Sequence, residues 1–514
     1  MPRLKIDGRE VDAAENATVL EAAREAGVAI PTLCHHPETG ALTSCMICVV
    51  RNAAAGKTLL ACASAAEEGM DIVTNDDEIC ALRRDTLALL LAEHAGDCEG
   101  PCERACPAGL RVPQMLRRLQ QGEGADAATI AREDLIFPGI LGSICTAPCQ
   151  KICRRGQYDQ ALAIRACHGG AAETFPEKLE QPQPASGKSV AIIGAGLAGL
   201  AAARVLAQHG HACRLYERED RVCPGLDDSI PDAIREAEFA FLKIWNVATF
   251  LATDVDMNES GQSESVMTLA TCLEENDAVI LAIKDAETPN HERIIGAREE
   301  TMPVRAVAAG KRAAWRVQAL FAGEEYQEKR MFNSRLGRLE ENDLEAYAVE
   351  RKERCHECEG QHALFMVSRA GMNAAPDGNA SELSCAAQKE AARCLHCDCL
   401  QPTTCKLRLY AEEYGVTLGG KRNLPHRIIL PIERAGAILF EPGKCIKCGV
   451  CIALTRKYGI DPGMTIAGRG VKSRVRAALG ATLQAGLGSV AEACVRACPT
   501  AALAFENESH CEQP

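Results

Sequence analysis

At roughly 150 residues per domain, a chain of 514 residues accommodates three or four domains, more than one hydrophobic core covers. A composition of 47% hydrophobic and 25% charged residues with a net charge of −13 argues against a general binder of nucleic acid or anionic membrane. Aromatics are only 4%, so the cores must rest on Ala, Leu, Ile and Val, while 28 cysteines are too many, in too long a chain, for a disulfide miniprotein.

The first residues, MPRLKIDGRE, have no apolar signal-peptide core. The longest charge-free apolar stretch, residues 190–203, contains three glycines and is too short to span a bilayer. A cytoplasmic chain without a membrane span is therefore expected, and there clustered cysteines point to metal rather than to disulfides.

In chain order, residues 4–11 predict a hairpin turning at Asp7-Gly8. A helix follows from about Thr18, capped by Asn16 or Thr18 and stopped at Gly27. Cys34, Cys45, Cys48 and Cys62 come next, spaced C-x10-C-x2-C-x13-C. An iron–sulfur cluster needs four soft thiolates at one point, and a short C-x2-C loop with two remote cysteines supplies them. A Leu-rich amphipathic helix then runs over 78–94 and ends in His94-Ala95-Gly96-Asp97-Cys98. Spacing and helix together resemble the N-terminal 2Fe–2S domain of the large iron–sulfur subunit of complex I and of related hydrogenases and formate dehydrogenases, over some ninety residues. The resemblance implies a β-grasp ferredoxin fold over 1–76, with His94 and Cys98 opening a His-plus-three-Cys 4Fe–4S motif.

From there the chain departs from that family. Cys98, Cys102 and Cys106 form C-x3-C-x3-C before Pro107, and Cys145, Cys149 and Cys153 repeat the spacing. Two cubane clusters need eight ligands, and the triplets give six; His94 and either Cys167 or His168 are candidates for the others. The motifs Cys106-Pro107-Ala108, Gly142-Ser143-Ile144-Cys145 and Cys153-Arg154-Arg155-Gly156 are similar to the N-terminal iron–sulfur domain of glutamate synthase small subunits and dihydropyrimidine dehydrogenase. That resemblance implies a helical domain over 77–180 with two 4Fe–4S clusters. Cys98, Cys102 and Cys153 would serve one, with His94; Cys106, Cys145 and Cys149 the other, with His168.

A Pro/Ser/Gly-containing linker at 181–187 precedes an α/β stretch over 187–325. There a buried-strand run, Ser189-Val190-Ala191-Ile192-Ile193, enters Gly194-Ala195-Gly196-Leu197-Ala198-Gly199 and an Ala-rich helix. Gly194, Gly196 and Gly199 allow a tight turn and the approach of a pyrophosphate to the helix N-terminus, and Glu217 ends a second strand where an acid holds a ribose hydroxyl. The order resembles the FAD domain of the glutamate synthase small-subunit family, so a truncated Rossmann-like FAD domain is expected. The family's second, NADPH-binding glycine motif and its late Gly-Asp do not occur here, and residues 306–314 look like the closing helix.

Residues 326–425 read as an irregular segment around Cys394, Cys397, Cys399 and Cys405, spaced C-x2-C-x-C-x5-C. A cubane is the expectation there; the rival is zinc held by Cys355, Cys358, Cys394 and Cys397. Residues 426–514 carry Cys445, Cys448 and Cys451 in C-x2-C-x2-C with a remote Cys498-Pro499, a ferredoxin-like 4Fe–4S signature, with Cys494 as the alternative fourth ligand.

The whole reads as a multidomain α+β and α/β protein. It is expected to hold one 2Fe–2S cluster, three or four 4Fe–4S clusters and, at the glycine loop, FAD. By resemblance its partners are an NADH-oxidising flavoprotein subunit and a separate catalytic subunit of the formate dehydrogenase or hydrogenase kind. Two other readings stand beside this relay: a self-contained FAD-dependent NAD(P)H oxidoreductase, and a zinc-stapled scaffold.

Overall fold

The computed structural model describes residues 1–226, 228–257, 267–284, 288–298, 300–328, 331–339, 344, 387–417 and 429–506. Cys355 and Cys358 of the zinc alternative lie outside these residues. The described chain forms two compact units, one from within 1–99, 330–350 and 397–514, the other from within 100–329 and 351–396.

In the first unit, the strands Arg3–Ile6 and Arg9–Asp12 pair antiparallel around Asp7 and Gly8, both at positive φ (49° and 79°), the backbone an Asp-Gly hairpin turn requires. The Asp7 carboxylate accepts the Thr74 N–H and hydroxyl at 2.8 and 2.6 Å, which ties the turn to the end of the strand Asp71–Val73. The resulting sheet runs Arg9–Asp12, Arg3–Ile6, Asp71–Val73, Val49–Asn52, Lys57–Leu60. Its central pairing, Arg3–Ile6 with Asp71–Val73, is parallel. The helix Val19–Glu25 lays Val19, Leu20, Ala22 and Ala23 on this sheet. Thr18, rather than Asn16, caps it in a reciprocal capping box with Glu21. The long helix Asp77–Glu93 buries Arg83 almost completely (2% exposed), where it donates to the Val49 carbonyl and the Tyr414 hydroxyl at 2.9 Å each. Further along, the strands Glu433–Ala435, Ile438–Phe440 and Leu503–Phe505 form an antiparallel sheet against the helices Val450–Lys457 and Ala491–Ala497.

The second unit begins with short helices, from Pro101–Ala105 to Ile164–Thr174, and continues into a five-stranded parallel sheet. The strand order is Ala248–Phe250, Ala212–Tyr216, Ser189–Ile193, Ala278–Leu281, Ile294–Gly296, as in a Rossmann-like domain. The helices Leu197–Gln208 and Pro303–Ala322 pack on each other through small residues. The backbone of Gly310 comes so near the Ala198 carbonyl that a Cβ there would overlap it. This close approach is how an Ala-rich sequence with few aromatics still excludes water from its core.

No helix among the described residues is long and apolar enough to cross a membrane. Gly310→Ala should destabilise the second unit by about 1–3 kcal/mol through overpacking, read as a lower urea midpoint; an unchanged midpoint would show the helix pair to be loosely packed.

Candidate metal centres and dinucleotide loop

Two of the four N-terminal cysteines are brought together by the hairpin between them. Cys48 precedes the strand Val49–Asn52 and Cys62 follows its antiparallel partner Lys57–Leu60, so pairing of Val49 with Leu60 sets the two cysteines side by side. Their sulfurs stand 3.2 Å apart, at 1% and 3% exposure. The Cys45 N–H donates to the Cys34 sulfur at 3.4 Å. Hydrogen bonding between thiols lowers Cys34 through Cys45 and Cys48 through Cys62, while Cys45 and Cys62 are pushed up. Two close, buried thiol pairs, with Cys34 near enough to act on both Cys48 and Cys62, are a donor set that fits a two-iron cluster.

The C-terminal set is built around left-handed backbone. Lys447 and Gly449 stand at φ of 56° and 86°, and Gly449 opens the helix Val450–Lys457, which carries Cys451. Backbone N–H groups of Lys447 and Leu503 point at the sulfurs of Cys445 and Cys498, at 3.3 and 3.4 Å, as they would to support thiolate charge. Cys498 follows the helix Ala491–Ala497; Cys494, inside that helix, turns its thiol toward the Cys451 carbonyl at 3.9 Å. The geometry therefore favours Cys498 over Cys494.

Between these loops lies Lys444, only 2% exposed. Its ammonium meets the Glu441 carboxylate at 2.7 Å and the Asp398 carbonyl at 3.3 Å, and its carbonyl bonds the His94 Nδ1 at 3.2 Å. Burial works against the charge, but Glu441 and the nearby Cys399 outweigh it and hold the ammonium above its ordinary pKa. His94 itself is buried, at the end of the helix Asp77–Glu93. Cys98 lies in the same unit, its carbonyl accepting the Cys399 N–H at 3.2 Å. Cys405 is also buried there, its thiol pushed up to about 12 by desolvation and then by Cys399.

This grouping differs from the one the second resemblance implies. Cys98 keeps company with Cys399 in the first unit, whereas Cys102 and Cys153 belong to the second. The series from Cys394 to Cys405 is likewise divided: Cys394 falls in the second unit, and Cys397, Cys399 and Cys405 in the first. The reason is that the chain passes from one packed core to the other between His396 and Cys397.

In the second unit, Pro101-Cys102 and Pro148-Cys149 each begin a short helix with proline in its first turn, and the two helices pack together. Cys106 and Cys153 stand four residues after Cys102 and Cys149, so the triplets form a structural repeat. Cys106, Cys145 and Cys149 are buried neighbours, and Cys149 is raised to about 12 by desolvation and then by the other two. Cys167, fully enclosed, lies beside Cys149 and Cys394. His168, next in sequence, instead turns its Nδ1 to the Pro138 carbonyl at 3.1 Å, and burial lowers its pKa to about 4. Cys167 is thus the better-placed fourth donor for Cys106, Cys145 and Cys149. Among the described residues, no three His, Cys, Asp or Glu side chains converge tightly enough to hold a single metal ion.

The glycine loop is held from within. Gly194 has φ of 103°, and a Cβ on Gly199 would overlap the Gly194 carbonyl, so both glycines are required by the turn itself. The Glu217 carboxylate, 8% exposed, accepts the Ala195 N–H at 2.8 Å and the Glu219 N–H at 3.2 Å. Gly196 caps the helix Leu197–Gln208, whose N-terminus gives the loop its affinity for an anion. The loop fits a dinucleotide pyrophosphate, with Glu217 organising it from within.

Three family models match stretches of the chain. Residues 2–77 match a 2Fe-2S iron-sulfur cluster binding domain, residues 73–178 the 4Fe-4S domain II of dihydropyrimidine dehydrogenase, and residues 192–228 an NAD(P)-binding Rossmann-like domain. The chain is 29% identical over 219 residues to the NADP(+)-dependent formate dehydrogenase subunit beta of Moorella thermoacetica, covering 36% of this chain and 31% of that protein. It is 34% identical over 141 residues to the glutamate synthase [NADPH] small chain of Mycobacterium tuberculosis, 26% of this chain and 29% of that one. It is 40% identical over 129 residues to the putative oxidoreductase YgfK of Escherichia coli, 24% of this chain and 12% of that one. The chain thus spans less than a third of the length of each of these relatives. It carries 2Fe–2S, 4Fe–4S and Rossmann-like domains, and its relatives are oxidoreductases or their subunits.

Lys444→Met should destabilise the first unit by about 3 kcal/mol, because the Glu441 carboxylate loses its cation in a buried setting. Adding Glu441→Gln should recover most of the loss in urea unfolding. A single variant as stable as the parent would mean the pair holds nothing together.

Proposed function

We propose that this chain is a multi-cluster electron-relay subunit of a cytoplasmic NAD(P)H-linked oxidoreductase complex. One observation carries the reading: the thiols of separate loops share one buried apolar cluster in the first unit. Cys34 and Cys45 pack there with Cys405, and Cys448 lies against them. The Ser44 hydroxyl donates to the Cys448 carbonyl at 2.9 Å, joining the N-terminal loop to the ferredoxin-like loop. Iron–sulfur clusters supply one-electron transfer when bound, and tunnelling falls steeply with distance. The protein's part is to hold its thiols close together, exclude water and aim N–H groups at sulfur, all of which set potential.

The ligands we assign are Cys34, Cys45, Cys48 and Cys62 for a 2Fe–2S cluster, and Cys445, Cys448, Cys451 and Cys498 for a 4Fe–4S cluster. In the second unit, Cys106, Cys145, Cys149 and Cys167 would hold a further cubane. Cys102, Cys153 and Cys394 are the donors left in that unit for another. Gly194, Gly196, Gly199 and Glu217 would cradle FAD or another dinucleotide, which exchanges electrons in pairs. The formate dehydrogenase relative is a beta subunit, which supports partner chains here: an NADH-oxidising flavoprotein and a separate catalytic subunit for formate, hydrogen or a similar substrate.

The glycine loop also favours a second reading, a self-contained flavin-dependent NAD(P)H oxidoreductase of the glutamate synthase small-chain kind. Metal and flavin analysis of the anaerobically purified chain separates the possibilities. The relay requires about fourteen to eighteen irons per chain with matching acid-labile sulfide; mostly zinc would sink it. Stoichiometric flavin that NAD(P)H bleaches without a partner would establish the second reading. Cys445→Ser should remove the ferredoxin-type EPR signal and leave the 2Fe–2S signal, while Cys494→Ala should leave both.

A further inference from the structure

We infer that His94, Cys98, Cys399 and Cys405 form one 4Fe–4S site whose two halves are separated in the chain by the second unit. The inference rests on the iron–sulfur reading above and assigns a fifth cluster site, one that no local cysteine spacing contains. Cys98 and Cys399 are about 300 residues apart in sequence. In the structure the Cys399 N–H donates to the Cys98 carbonyl at 3.2 Å, a backbone-to-backbone bond inside the first unit.

The positions of His94, Cys98 and Cys405 suit ligands; the Cys405 thiol rests 3.8 Å from the Pro499 carbonyl. The His94 ring is fixed by the bond from its Nδ1 to the Lys444 carbonyl, which selects the tautomer that offers Nε2 to a metal. Cys98 exchanges two bonds with a third segment of the chain: its N–H donates to the Ser334 carbonyl at 3.2 Å, and the Ser334 N–H donates to its sulfur at 3.4 Å. Cys405 sits at the N-cap of the helix Lys406–Glu413, where the helix dipole favours a thiolate. All four are buried, with Lys444 and Arg408 as the nearby cations. A cluster of net negative charge fits such a place, beside two cations.

The local sequence supports the same set. With residues 100–397 set aside, Glu99 and Asp398 are the two residues between Cys98 and Cys399. The chain then reads His-x3-Cys-x2-Cys-x5-Cys, a compact ligand run interrupted in its middle. The excursion that interrupts it contains Cys102 and Cys106, the second triplet and the glycine loop. The site also adjoins both other sites of the unit: Cys405 shares an apolar cluster with Cys34, Cys45 and Cys448, and the His94 ring bonds the residue preceding Cys445. It is therefore positioned as the junction between the 2Fe–2S loop and the ferredoxin-like loop.

The test uses the full-length chain purified without oxygen. Cys399→Ala and Cys405→Ala should each lose about four irons per chain while keeping the 2Fe–2S EPR signal. Cys399→Ala combined with Cys394→Ala should lose about eight, because the two cysteines serve different clusters. His94→Cys should keep every iron, remove a nitrogen hyperfine coupling traced to histidine by ¹⁵N labelling, and lower the midpoint potential of one cluster. Full iron content in Cys399→Ala would overturn the inference, as would a double variant losing no more than either single one, since residues 394–405 would then form one set. Should the alanine variants lose every signal, His94→Cys decides alone: an unchanged nitrogen coupling and potential overturn the assignment. Absence of iron and sulfide from the parent chain would instead remove the relay reading itself.

Discussion

The first unit depends on a buried ammonium. Lys444 reaches past Gly96, where a Cβ would stand 2.7 Å from its side chain, to meet Glu441 and the Asp398 carbonyl. Its backbone carbonyl takes the His94 ring, and the neighbouring Gly443 carbonyl takes the Ala95 N–H at 2.7 Å. One residue thus joins the end of the N-terminal helix, the segment around residue 398 and the start of the ferredoxin-like loop. Desolvating a lysine is costly and is tolerated when its partners are complete. Here a carboxylate and a carbonyl answer it, and the negative charge of nearby thiolate clusters would add to the compensation.

Most cysteines of the second unit are buried, unlike a redox-active surface thiol. Most are raised by desolvation, so without metal they remain protonated and unreactive. Metal must displace those protons, and the binding energy gained becomes folding energy for loops that have little core of their own. The Rossmann-like part needs no such help: its Ala-lined helices close on one another at Gly310, and its glycine loop is braced by Glu217.

The elements legible in the sequence were those whose determinants are local. Asp7-Gly8 turns as its backbone preferences require, Thr18 caps a helix through Glu21, and the spacing of Cys45 and Cys48 announces a metal loop because both ligands lie in one turn of chain. The same locality made residues 394–405 look like one site. Four cysteines in twelve residues read as a set, yet a boundary between two packed cores falls among them. His168 and Cys167 show the limit at smaller scale, since adjacent residues of one helix face different partners, and only the packing of Cys394 and Pro138 tells them apart. Ser334, which addresses Cys98 from 236 residues away, carries no sequence signal at all.

An insertion between two ligands of one buried site would ordinarily be a poor place to open a chain, because it separates groups that must act together. The entropic cost of the longer loop is nevertheless modest, growing only with the logarithm of its length. What matters is whether the two ends remain fixed without a short peptide to join them. In this protein the backbone bond from Cys399 to Cys98 and the ion pair between Arg408 and Glu99 hold those ends together independently of any metal. A folded excursion that begins and ends at neighbouring points costs the host unit little. A cluster bound across the gap would then close the ring with metal–ligand bonds, so that a connection spanning about 300 residues becomes one of the chain's strongest.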